Sequence, residues 1–226
     1  MGNLLASMIP LALAAAISPT MLTAVVLVLS SKDRPRRRAL FFLAGAVITL
    51  ILIGVAALSI SGAAVSQKSD GKSPISAGID IILGLLLLFM GFRNLVRSRE
   101  SNKDSDKGGK FQKFFQGGGA GSNFFLGVIF TVTDFTSLVF YFVAAKQARD
   151  SGLGFIADVA AMTIVGIAII LPILVPLAIT IIAPDISGRL TDSLNQWIKK
   201  YGKYIGPAIA LLFGVYLIDK GLPIFL

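Results

Sequence analysis

The chain has 226 residues, 55% of them apolar and only 15% charged, with a mean hydropathy of +0.82 and a formal charge of +9. A soluble domain carries about 25% charged residues, and several uncharged runs here exceed the ~18–20 residues that cross a bilayer, so a soluble globular protein is excluded. The lack of Cys and His removes disulfides, thiolate metal sites, the commonest transition-metal ligand and the usual near-neutral acid–base group.

Charges divide the sequence into six predicted spans. The first lies within Asn3–Ser31; it lacks a basic n-region and is too long for a signal peptide, so it reads as a retained span. Inside it stands "ISPTMLTA" (Ile17–Ala24), where a Pro flanked by two hydroxyls interrupts an apolar run. The second span lies within Ala39–Val65 and the third over Pro74–Phe92, interrupted by Asp80. A Gly-, Ser- and Lys-rich stretch follows and reads as a mobile linker. The fourth span runs over Asn123–Ala145 with Asp134 near its middle, and the fifth over Leu153–Ala183 with Pro172 and Pro176. "RLTDSLNQWIKKYGKY" has the look of an interfacial segment with Trp197 at headgroup level, and the weaker sixth span covers Tyr204–Leu222. The expected organisation is a three-helix repeat over 1–97, a basic cytoplasmic linker over 98–120 and a second repeat over 121–226.

Six spans place the connections 1–2, 3–4 and 5–6 on one side. Those hold sixteen basic residues against five elsewhere, which predicts that they are cytoplasmic and that both termini lie outside. The same bias explains the net charge without nucleic acid. A shift of 115 residues lays Ser18–Pro19–Thr20 on Thr133–Asp134–Phe135, and a shift of 130 lays "LGLLLLFMGF" on "FGVYLIDKGL". Three spans per half would make the second half enter the membrane upside down. The fold expected is therefore an all-α integral membrane protein with six transmembrane helices in a 3+3 inverted repeat. Such folds bind substrate near the midplane, where helices are interrupted.

Candidate substrate and coupling residues are accordingly Ser18, Pro19 and Thr20 in the first helix and Thr133, Asp134, Thr136 and Ser137 in its mate. A carboxylate at the bilayer centre costs at least ~2.5–3.5 kcal/mol, so Asp134 should face a cavity, find a cation or stay protonated. Asp80 and Asp158 lie nearer the outer side, either as ion-pair partners of Lys146 or Arg149 or as substrate contacts. Pro172 and Pro176 share one helix face, as a hinge or a static bend. "KDRPRRR" sets topology, and its Arg36, Arg37 and Arg38 could bind anionic headgroups. "GGGAG" lacks the Gly-Lys-Ser/Thr of a phosphate loop. No catalytic triad, metal cluster or nucleotide fingerprint occurs, so neither an enzyme nor a cofactor is expected.

The stretch "LALAAAISPTMLTAVVLVLSSKDRPRRRALFFLAGAVI" resembles the lysine-exporter (LysE) superfamily, and within it the glycopeptidolipid- and sulfolipid-addressing (GAP/Sap) family. The likeness is strong over 1–60 and diffuse beyond. It implies a multi-pass plasma-membrane exporter with lipid or glycolipid cargo, membrane lipids as partners, and room for homo-oligomers. Members often open the fourth helix with a second Pro motif; here "TVTDFTSLVF" has Asp134 instead, which implies an acidic, proton- or cation-linked version. The alternatives are an exporter of amino acids or divalent cations, with Asp134 and Asp80 as ligands, and a non-transporting scaffold for lipid synthesis.

Overall fold

The computed structural model is all-helical over the residues it describes, 2–31, 33–66, 74–100, 120–182, 193, 196, 207–219, 221 and 222. The connection 67–73, most of the expected linker and the Trp197 segment lie outside the described residues.

The first predicted span is two helices, α1 (Gly2–Ala16) and α2 (Pro19–Leu29), bent by 55°. The sequence dictates the break. A residue before proline is pushed out of the helical region, and Ser18 is extended at φ −112°, ψ 99°. Its Oγ then accepts the Met21 N–H at 3.2 Å, so the same serine caps the next helix. Pro19 takes the first helical position, where a missing N–H costs nothing. Then come the long α3 (Pro35–Ser66) and α4 (Pro74–Glu100).

The fourth span is likewise two helices, α5 (Ala120–Thr133) and α6 (Phe135–Asp150), bent by 69° about Asp134. A tight turn with Gly152 and Gly154 at positive φ leads into α7 (Phe155–Ile182), and α8 (Pro207–Asp219) follows. Among the described residues, α3 and α7 are each long and apolar enough to cross a membrane, and four spans result if each bent pair counts as one. The chain is thus a helical membrane protein. Helix α4 continues eight residues beyond the predicted span end at Phe92 and absorbs the start of the expected linker. No Gly or Pro follows Gly91 there, and a helix leaving the bilayer accepts Arg and Glu freely.

The two breaks divide the core. One apolar cluster joins α1 to α6, with α3 from Leu50 onward and α7 up to Ile169. The other joins α2 to α5, with α3 up to Ala46 and α7 from Ile173. Both boundaries fall at the middle of α3 and of α7, so the breaks lie at mid-depth. Helix α7 packs against α1, α2, α3 and α6, and α3 against α2, α4, α5, α6 and α7, so these two helices run through both clusters.

Glycines set two close crossings, and each is reciprocal. A Cβ at Gly45 of α3 would collide with the Phe124 carbonyl of α5, and a Cβ at Gly127 of α5 with the Phe42 carbonyl of α3. Thr49 and Thr131, one turn beyond these glycines, each donate to the glycine carbonyl at 2.8 Å, so both buried hydroxyls are satisfied within their own helices. Helices α4 and α8 run antiparallel: Gly84 faces the Gly214 carbonyl and Gly214 the Gly84 carbonyl. Further along, Gly91 meets Pro207 and Leu211, while Gly221 meets Ala77 and Ile81. Every one of these α4–α8 pairs is matched by its mate under the 130-residue shift. Small residues at such crossings let backbones approach within van der Waals contact, the principal source of helix adhesion in lipid.

Candidate functional site

The break in each bent pair leaves backbone groups without helical partners, and the two breaks meet. Ser137, in the first turn of α6, has its Oγ 2.8 Å from Asp134 Oδ2 and 3.2 Å from the carbonyl of Ala15, near the end of α1. Ser18, the N-cap of α2, also lies near the Asp134 carboxyl. Ser18 and Ser137 are buried. The residue capping α2 in one half and the residue opening α6 in the other thus share one polar junction between two apolar cores.

That junction can exist in two hydrogen-bonding states. A hydroxyl has one hydrogen to give. When Asp134 carries a proton, its O–H donates to Ser137, whose own hydrogen is free for the Ala15 carbonyl. When Asp134 is ionised, Ser137 can give its hydrogen to the carboxylate instead, and the Ala15 carbonyl loses that partner. The Ser137 hydroxyl is thus one polar link between α6 and α1, beside the apolar cluster that the two helices share. At the same level of α7, Pro172 and Pro176 leave the carbonyls of Ala168 and Pro172 without an i+4 donor. Helix α7 remains continuous through both prolines.

The other residues singled out in the sequence fall elsewhere. Thr20 and Thr133 are exposed, and Thr133 returns its hydroxyl to the Ile129 carbonyl of its own helix at 2.8 Å. Thr136 is half-buried beside the junction. Arg36 and Arg37 are exposed at the start of α3, where Arg37 lies 5.9 Å from the centre of the Phe41 ring; Arg38 is 3.8 Å from Asp33.

Asp80 and Asp158 belong to a charge network at the end of the bundle where α6 finishes and α7 begins. Lys146 Nζ is 2.8 Å from Asp80 Oδ1 and 3.0 Å from Asp150 Oδ2, with Lys146 and Asp80 both buried. Arg149 Nη1 is 3.2 Å from Asp158 Oδ2 across the α6–α7 turn. The network ties α4, from the first half of the chain, to α6 and α7. Asp150 was not distinguishable in sequence from an ordinary helix-end acid, and the α3–α5 crossing at Gly127 has no signal without its partner. Tyr141, wedged between Gly54 of α3 and Gly166 of α7, was equally silent.

A family model described as Sap, sulfolipid-1-addressing protein, matches residues 8–223, so the chain belongs to that family. No curated protein and no solved structure matches it.

Proposed function

We propose that this member of the sulfolipid-1-addressing family exports a polar lipid or glycolipid across the plasma membrane by alternating access about the Asp134 junction. Membership of the sulfolipid-1-addressing family carries the lipid cargo, since that family is described by a lipid and an addressing role. The 3+3 inverted repeat is part of this reading. It is supported by one broken helix opening each half and by the reciprocal glycine pairs of α4 and α8. The N-cap positions, Ser18 of α2 and Asp134 of α6, stand 116 apart, one more than the 115-residue shift. The basic loops assign the 1–2, 3–4 and 5–6 connections to the cytoplasm, which makes the Lys146 end the outer one.

In this mechanism the proton on Asp134 selects between two packings of α1 against α6. Deprotonation releases the Ala15 carbonyl, loosens the contact between the halves and opens the junction to a polar headgroup. The lipid tails stay in the bilayer. A rocking of one three-helix unit against the other then presents the headgroup to the opposite side.

The same carboxylate flanked by two hydroxyls favours a second reading, export of a small solute such as an amino acid or a divalent cation. Vesicles holding the purified chain separate the two. Fluorescent glycolipid is expected to move between leaflets faster than in empty vesicles, with preloaded amino acid and divalent cation retained. Retained lipid with escaping solute would establish the second reading. Vesicles that move nothing, beside a co-purifying partner, would mark a scaffold.

A further inference from the structure

A groove runs between α1, α6 and α8, away from the Asp134 junction. Ser7 and Pro10 of α1, Gln147 of α6 and Leu212, Phe213 and Tyr216 of α8 line a hollow of about 310 Å³. It adjoins a second hollow of about 420 Å³ along the same face of α8, from Leu211 to Asp219. Leu211 at its edge also packs on Gly91 of α4, while the rest of this face turns away from the glycine stripe: Leu212 is 71% exposed and Tyr216 52%.

Its lining is graded. Leu212, Phe213 and Val215 are apolar, whereas Gln147, Tyr216 and Asp219 supply polar atoms towards the end where the Lys146 network lies; Ser7 gives its hydroxyl hydrogen to the Leu4 carbonyl at 2.8 Å. A backbone acceptor joins them. Pro10, which lines the hollow from inside α1, has no N–H to give the Ala6 carbonyl one turn earlier. An acceptor without its helical donor is expensive next to hydrocarbon, at several kcal/mol if left unpaired. A plain lipid tail cannot satisfy it, and a hydroxylated or amide-bearing headgroup can.

We infer that this groove is a binding site for one membrane lipid, its acyl chain along Leu212 and Val215 and its hydroxyl-bearing headgroup at the Ala6 carbonyl, Gln147 and Tyr216. On the orientation argued above, the lipid belongs to the outer leaflet. The inference rests on the chain being embedded in a membrane in that orientation and not on its transporting anything.

The test uses the full chain in phosphatidylcholine vesicles containing phosphatidylglycerol with a diazirine in one acyl chain. The glycerol head supplies the hydroxyls. Mass spectrometry locates the adducts after photolysis. Leu52 and Ile82, 65% and 64% exposed on other faces, report ordinary contact with bulk lipid. Adducts are expected to concentrate several-fold at Pro10, Leu212 and Tyr216, to saturate with probe, and to fall to the Leu52 level in Leu212→Trp and in Gln147→Leu. Even labelling over all exposed positions would overturn the inference, and so would crosslinks joining two chains through these residues. Glycolipid translocation alongside even labelling would remove the groove and leave the transport reading intact. Concentrated labelling without translocation would do the reverse.

Discussion

Lys146→Met is expected to lower the stability of the folded chain by about 3–5 kcal/mol, the cost of removing one partner from a buried ion pair. Lys146 and Asp80 are both nearly sealed from solvent, and Asp80 Oδ1 takes no aligned hydrogen bond, so the ammonium 2.8 Å away is its main compensation. Asp150 is 20% exposed at its side chain and can turn outward; Asp80 cannot. The loss corresponds to about 6–20 °C in the melting midpoint for a chain of this length. Adding Asp80→Leu to the variant should recover most of it, because an apolar pair in place of a buried ion pair is often neutral or stabilising by about 1–4 kcal/mol. Thermal unfolding in mild detergent reads both effects. A single variant as stable as the parent would mean that water reaches this network, and that it does not hold α4 to α6.

Asp134→Asn is expected to leave folding intact and to abolish the dependence of lipid movement on pH. The amide can give a hydrogen to Ser137 and accept one from Ser18, so the junction keeps its bonds. It cannot ionise, so Ser137 stays committed to the Ala15 carbonyl and the halves stay tied. Coupling energies between such states run about 1–3 kcal/mol, a 5–150-fold effect. In vesicles, glycolipid translocation by the parent should change within that range when a pH gradient is imposed. The variant should be slow and unresponsive. Parental rates with a parental pH response would remove Asp134 from the mechanism.

The parts of this site that were legible in the sequence are those where a single residue carries the local structure. Ser18–Pro19 encodes an extended pre-proline residue, a cap and a helix start in three positions, and the structure breaks the helix there. Asp134 in an apolar span is conspicuous for its cost alone. The two breaks lie 116 residues apart rather than 115 because the 115-residue shift sets Pro19, the first residue of α2, against Asp134, which holds the N-cap position of α6. Thr20 and Thr133 looked equivalent to Ser18 and Ser137, yet a helix turns about 100° per residue and carries them to the outer face. The partner of Lys146 was open between two aspartates because sequence cannot say which helix start lies beside the end of α6. Gly127 carried no signal at all, since its importance is the nearness of the Phe42 backbone on a helix some eighty residues earlier.

Alternating access in the proposed form requires the two breaks to make one junction that opens to each side of the membrane in turn. The chain contains no cysteine, so Thr136→Cys places a single thiol beside Asp134. In sealed vesicles of known orientation, its reaction with a membrane-impermeant thiol reagent is measured from outside and from inside at two pH values. The predicted result is reaction from both faces, with one rate rising and the other falling as the pH changes. A thiol that reacts from one face only, or from neither at any pH, would contradict it.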